Sequence, residues 1–82
     1  MRRSRQEIVS QILDTCMSGA SKTRIVYQAN LNFKTVNPYL DLLIKNGLII
    51  VNEKQVILYE TTLKGKSLME KMQKVHGELS EL

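Results

Sequence analysis

Apolar residues recur along this chain first at helical and then at strand spacing. Ile8, Val9, Ile12, Leu13, Cys16 and Met17 fall at three- and four-residue intervals and predict an amphipathic helix from Arg5 to Met17. Ser4 is placed to cap it, Glu7 three positions on completes a capping box, and Gly19 supplies a residue tolerant of positive φ where it stops. Ser21 caps a second, shorter helix, Lys22 to Ala29, which turns Ile25, Val26 and Ala29 inward; Tyr27 is expected to be partly buried against the helix that follows. Asn30 suits a left-handed C-terminal position, Leu31 plugs the turn and Asn32 caps a third helix, Phe33 to Asn46. Val36, Leu40, Leu43 and Ile44 form its core face, with Phe33 and Tyr39 flanking.

Pro38 allows two versions of the third helix. With Asn32 as the cap, Pro38 sits in the second turn, removes one backbone bond and bends the helix. With Asn37 as the cap, it takes the favoured first helical position and the helix is shorter. The Phe33-x-x-Val36 spacing already fits a helical face and favours the first version. Beyond Gly47, two β-branched runs, Leu48–Val51 and Val56–Glu60, flank the polar Asn52-Glu-Lys-Gln55 and predict a hairpin. Thr62 then caps a last helix. A short helix, a tight turn, a longer helix and a hairpin make a helix-turn-helix with a wing, a unit that places one helix in a DNA groove. The expected fold is mainly α with a β-hairpin wing, in the order α-α-α-β-β-α.

In the last helix, Leu68, Met72, Val75, Leu79 and Leu82 are spaced 4, 3, 4 and 3, a heptad seam. An amphipathic helix resting on its own domain accounts for Leu68 and Met72. A helix of ~20 residues reaches ~30 Å and overruns so small a body, so Val75, Leu79 and Leu82 call for a partner helix, most simply from a second copy. The expected organisation is a DNA-binding domain over residues 1–66 and a dimerisation helix over 67–82, continuous with it.

Composition and charge narrow the function. The 82 residues are 43% hydrophobic and 24% charged, which belongs to one small globular core of a size that benefits from a partner subunit. No apolar run approaches the ~20 residues of a membrane span, and no secretory segment follows the start, so a cytoplasmic, nucleoid-associated protein is expected. The single cysteine, Cys16, excludes an internal disulfide framework; on the buried stripe it reads as a packed small hydrophobe. The net charge of +4 is concentrated: residues 1–34 hold six basic side chains against Glu7 and Asp14, while residues 35–82 balance. Clustered charge of this kind attracts phosphate backbones through counterion release.

Arg2-Arg-Ser-Arg-x-Glu-Ile8, Lys22-Thr-Arg-Ile-Val-Tyr-Gln-Ala-Asn-Leu31, Tyr39-Leu-x-x-Leu43, Gly47-Leu-Ile49 and Tyr59-x-x-Thr-x-Lys-Gly65 together resemble the small archaeal winged-helix proteins. That group includes predicted transcriptional regulators and abundant chromatin-like DNA-binding proteins. The resemblance covers essentially the whole chain, departing at Pro38, where such helices carry an ordinary helix former. It implies a dimer whose long C-terminal helices pair as an antiparallel coiled coil, presenting two DNA-binding faces.

On the outward side of the third helix, Asn37 is the candidate for a base edge, because its amide can pair bidentately with adenine; Thr35 suits a thymine methyl or a phosphate, and Lys34 a phosphate or guanine. No arginine is present on this helix. Lys22 and Arg24 open the second helix, where donors and the helix dipole meet phosphate. Arg2, Arg3 and Arg5 form a basic arm, and Lys54 and Gln55 stand at the wing tip. His76 is the only histidine, and no metal-ligand spacing, phosphate loop or nucleophile–base set accompanies it, so neither an enzyme, a metal, a cofactor nor a small-molecule ligand is expected. The expected partners are double-stranded DNA and a second copy, with transcriptional regulation as the role. The alternatives are a sequence-independent DNA coater and a winged-helix protein-interaction module.

Overall fold

A computed structural model describes residues 3–80, with side chains through Val75. The elements run α1 (Arg5–Thr15), α2 (Lys22–Gln28), α3 (Phe33–Lys45), β1 (Ile49–Asn52), β2 (Leu58–Thr61) and α4 (Leu63–Ser80). This is the winged helix-turn-helix order read from the pattern. Among the described residues, no helix is long and apolar enough to cross a membrane.

Each helix starts where a side chain can take up an orphan backbone N–H. The Ser4 hydroxyl accepts from the Glu7 N–H at 3.1 Å, Ser21 from Arg24 at 3.2 Å, Asn32 from Thr35 at 2.7 Å and Thr62 from Gly65 at 3.0 Å. Of the capping box read at Ser4 and Glu7, the structure shows the Ser4 half. The ends are as local as the starts. At α2, Asn30 takes φ 52°, and Leu31 N–H reaches back to the Val26 carbonyl at 3.0 Å. At α3, Gly47 takes φ 72°, and Leu48 N–H reaches Leu43 at 2.9 Å. Both are left-handed stops in which a hydrophobic residue just past the helix folds back over it.

The Asn32 cap settles the two versions of α3. Pro38 lies inside the helix, and Asn37 is an ordinary helical residue rather than a cap. Pro38 is exposed, so the carbonyl of Lys34, which gives up its helical partner there, lies on an outward turn.

Ile12, Leu13, Cys16, Ile25, Val36 and Leu40 are among the side chains that close the core where α1, α2 and α3 meet, and Ile49 and Met69 join them from the wing and α4. Strands β1 and β2 pair antiparallel, Ile49 opposite Thr61 and Val51 opposite Tyr59. Ala20, between α1 and α2, exchanges two backbone bonds with Tyr59 (3.0 and 2.8 Å) and so adds a short third rung to the hairpin. Thr61 ties β2 to the end of α1, its hydroxyl donating to the Leu13 carbonyl at 2.6 Å.

Four expectations about burial change. The first helix ends at Thr15, and Met17, beyond that end, is 39% exposed and not part of the buried core. Tyr27 is 85% exposed, because α2 is only seven residues long and Ile25 and Ala29 already fill its inward face. Phe33 is 50% exposed and is not part of the buried core. The second strand begins at Leu58, leaving Val56 and Ile57 in the exposed wing tip.

Cys16 is completely buried, as its place on the stripe requires. Burial pushes its thiol up from 9.0 to about 12, against a smaller opposing pull from the Arg24 guanidinium. The folded chain therefore holds a proton that the unfolded chain releases above pH ~9. The resulting stability is fully present below that pH and is lost between 9 and about 12, at ~1.4 kcal/mol per pH unit. Urea melts of the wild type and of Cys16→Ala, followed from pH 7 to 11, are expected to differ by a constant amount up to pH ~9. Above it the difference should shrink at that slope; a constant difference throughout would contradict a raised thiol.

Candidate nucleic-acid interface

The outward face of α3 follows from its buried one. With Val36, Leu40 and Leu43 inside, Phe33, Lys34, Asn37, Pro38 and Asp41 form the exposed stripe over the first two turns. Lys34 and Asn37 thus stand where a base reader needs to be. Thr35 is half-buried, its N–H held by the Asn32 side chain, so it lies at the edge of this face.

The basic residues read as candidates divide into exposed and engaged groups. Arg5 on the first turn of α1 and Arg24 on α2 are exposed. At the wing tip, Lys54 and Gln55 are exposed, and Lys54 N–H donates to the Asn52 side chain at 3.3 Å. Lys22 is half-buried, with its ammonium 6.0 Å from the centre of the Tyr59 ring, where a cation meets the negative face of the π system. That contact braces α2 against the wing.

Arg3 is placed differently from a free arm. Its guanidinium donates to the carbonyl of Ala29, to that of Asn30 at 2.9 Å and to the Gln11 side-chain oxygen. The carbonyls just past α2, of its C-cap Ala29 and the turn residue Asn30, have no helical donors and lie at the negative end of its dipole, so a planar cation is well suited to close them. Arg3 clamps the helix-turn-helix turn onto α1. Arg2 lies outside the described residues.

Along α4, Leu68 and Met72 are half-buried against the core, whereas Val75 is 54% exposed. Met69, which the heptad reading left out, is buried in the core. The side chains of Leu79 and Leu82 lie outside the described part of the structure. Among the described residues, no three His, Cys, Asp or Glu side chains converge as metal ligands would.

Sequence reasoning missed the exposure of Phe33 and the clamp made by Arg3. The first had a signal: Leu31 and Val36 stand at the N′ and N4 positions of α3, so a hydrophobic staple was available without Phe33. The second had none, because it joins residues 26 and 27 positions apart.

The chain is 40% identical over 68 residues to an uncharacterised protein of Methanocaldococcus jannaschii, covering 82% of this chain and 67% of that one. Its fold is similar to the crystal structure of Sso10a-2, a DNA-binding protein from Sulfolobus solfataricus. The TM-score is 0.81 at 32% identity, over 96% of this chain and 87% of the other. The winged helix-turn-helix family pattern matches residues 2–80, so these four helices and their hairpin place the chain in that family.

Proposed function

We propose that the protein binds double-stranded DNA as a homodimer and acts as a transcriptional regulator. The observation that carries this reading is the exposed, capped N-terminal half of α3, with Lys34 and Asn37 outward and no core duty to perform. Arg5 and Arg24 add exposed positive charge on α1 and α2, and the similarity to Sso10a-2 supports the same partner. Phosphate contact is assigned to Arg5, Arg24, Lys34 and Lys54, with Arg2 continuing the arm. Lys22, Thr35 and Gln55 stand at the edge of the surface. Asn37 is the base reader. Arg3 acts on the other side of the interface, holding α2 in place. Residues 1–66 form the DNA-binding domain. From residue 67 onward α4 pairs with its mate through Leu68, Met72, Val75, Leu79 and Leu82. Family and fold are those of DNA-binding proteins rather than of enzymes.

Counterion release sets the test. Affinity for a duplex of ~20 base pairs should fall steeply as salt rises, the log–log slope giving the number of phosphates neutralised. Arg5→Ala and Arg24→Ala should each reduce that slope by about 1 and weaken binding to all sequences alike. Asn37→Ala should leave the slope unchanged and flatten preference among sequences selected from a random pool. Salt-independent binding, or none, would sink the DNA reading in favour of a protein-docking module.

A further inference from the structure

We propose that Phe33 reads the 5-methyl group of thymine in the major groove, one helical turn from the adenine reader Asn37, which gives this chain a preference for A·T steps. The inference rests on the DNA-binding reading and adds a specificity determinant to it.

Phe33 is the first residue of α3, and half of its surface is exposed. The core does not need it. Leu31 and Val36 occupy the positions that fasten the start of α3, Val36 within the buried core and Leu31 packed against it, and Phe33 is not one of the core's buried residues. A large apolar ring at the projecting end of the helix is therefore available to an outside surface that is itself partly apolar. Its neighbours narrow the choice of surface. Lys34 follows directly, and Asn37 lies four residues on along the same row of the exposed face. A docking site for an apolar protein surface would have to desolvate that lysine and amide beside the ring, whereas a DNA groove provides phosphate for the first and a base edge for the second.

Within the major groove, only thymine presents an apolar group, its methyl, and phenylalanine is among the side chains that meet it. Side chains at i and i+4 on a helix stand ~6 Å apart, close to two base steps of ~3.4 Å, so Phe33 and Asn37 reach base pairs about two steps apart. The helix has no arginine to select guanine, and with Lys34 assigned to phosphate its outward face is left to an A·T preference.

Removing the methyl from the DNA tests this without knowledge of a target site. Wild type, Phe33→Ala and Phe33→Gln are titrated by fluorescence anisotropy against an alternating A·T duplex and the same duplex with deoxyuridine for every thymidine. Because the ring is outside the core, both variants are expected to melt close to wild type, and two variants guard against one of them misfolding. One contacted methyl is worth about fourfold in affinity, hence on the order of tenfold for a dimer engaging two. Wild type should show that loss on the deoxyuridine duplex, and both variants should bind the two duplexes equally. Equal binding by wild type, or a methyl dependence undiminished in both variants, would overturn the role of Phe33. If wild type binds neither duplex, the DNA-binding reading fails first and this inference with it.

Discussion

Gly65→Ala is expected to lower the melting temperature by ~10–20 °C, although the same change in an unhindered helix would raise stability by about 1 kcal/mol. Gly65 lies in the first turn of α4, where the helix crosses the α3–β1 connection. A Cβ there would fall 2.2 Å from the Leu48 carbonyl oxygen and 2.8 Å from the Thr61 methyl. The nearer obstacle is backbone, already fixed by accepting the Thr62 N–H at 3.0 Å, so no side chain can swing aside. Relief requires α4 to move away. That would disturb the Thr62 cap, the Thr62 hydroxyl's bond to the Gly47 carbonyl at 2.7 Å and the Lys64 ammonium's bond to the Asn46 carbonyl at 2.9 Å. It would also draw Met69 out of the core. Overpacking of this kind costs about 3 kcal/mol, which exceeds the gain in helix propensity. Thermal melts by circular dichroism decide the matter, with Ser67→Ala, an exposed change on the same helix, as a reference expected to be neutral or slightly stabilising. A Gly65→Ala melting temperature at or above wild type would refute the close approach.

That close approach shows what the sequence leaves unwritten. The helix boundaries were legible because they are decided within a few residues. Ser4, Ser21, Asn32 and Thr62 each bond an N–H three positions ahead, and Asn30 and Gly47 take the left-handed stops. Placing Pro38 inside α3 was favoured for the same reason, since the Phe33-x-x-Val36 spacing already fits a helical face. The contacts that were not legible join distant segments. Gly65 meets Leu48, Arg3 reaches Ala29, Lys22 lies over Tyr59, and Met69 enters a core built mainly by α1 to α3. Helical spacing marks a residue as apolar-facing but does not say how much surface its own domain offers. Hence Tyr27, expected to be partly buried, stands in the open, and Phe33, expected beside the core face, is half uncovered.

The candidate interface changed character in the same way. A basic N-terminus suggested a free arm, and charge counting treats Arg3 and Arg5 alike. The structure separates them: Arg5 is exposed, while Arg3 spends its guanidinium on α2 carbonyls. Neutralising the two therefore has different consequences. On the proposed DNA reading, loss of Arg5 is expected to remove a phosphate contact, whereas loss of Arg3 is expected to loosen the turn before α3.

Ending the chain after Lys74 is expected to leave a folded but less stable monomer whose affinity for DNA carrying two half-sites falls by a factor on the order of 10²–10³. The domain keeps its α4 anchors, because Leu68, Met69 and Met72 precede the cut and pack on the core. What is removed begins at Val75, which its own domain leaves 54% exposed. The 18 residues of α4 make a rod of ~27 Å, and the chain is 46 Å long against 28 and 19 Å in its other directions. A helix that runs past its domain with apolar residues still at heptad spacing gains most from a second helix of the same kind. Pairing two copies turns the second DNA contact into an intramolecular event, which is where the affinity factor arises. On a short duplex with room for one domain, the truncated and full-length chains should bind within a few-fold of each other, which separates lost pairing from a damaged reading head. Sedimentation of the full-length chain should show a dimer, with a melting temperature that rises with concentration. A full-length protein that stays monomeric at high concentration, with a concentration-independent melt, would remove dimerisation from the mechanism and leave single-domain binding as the whole of it.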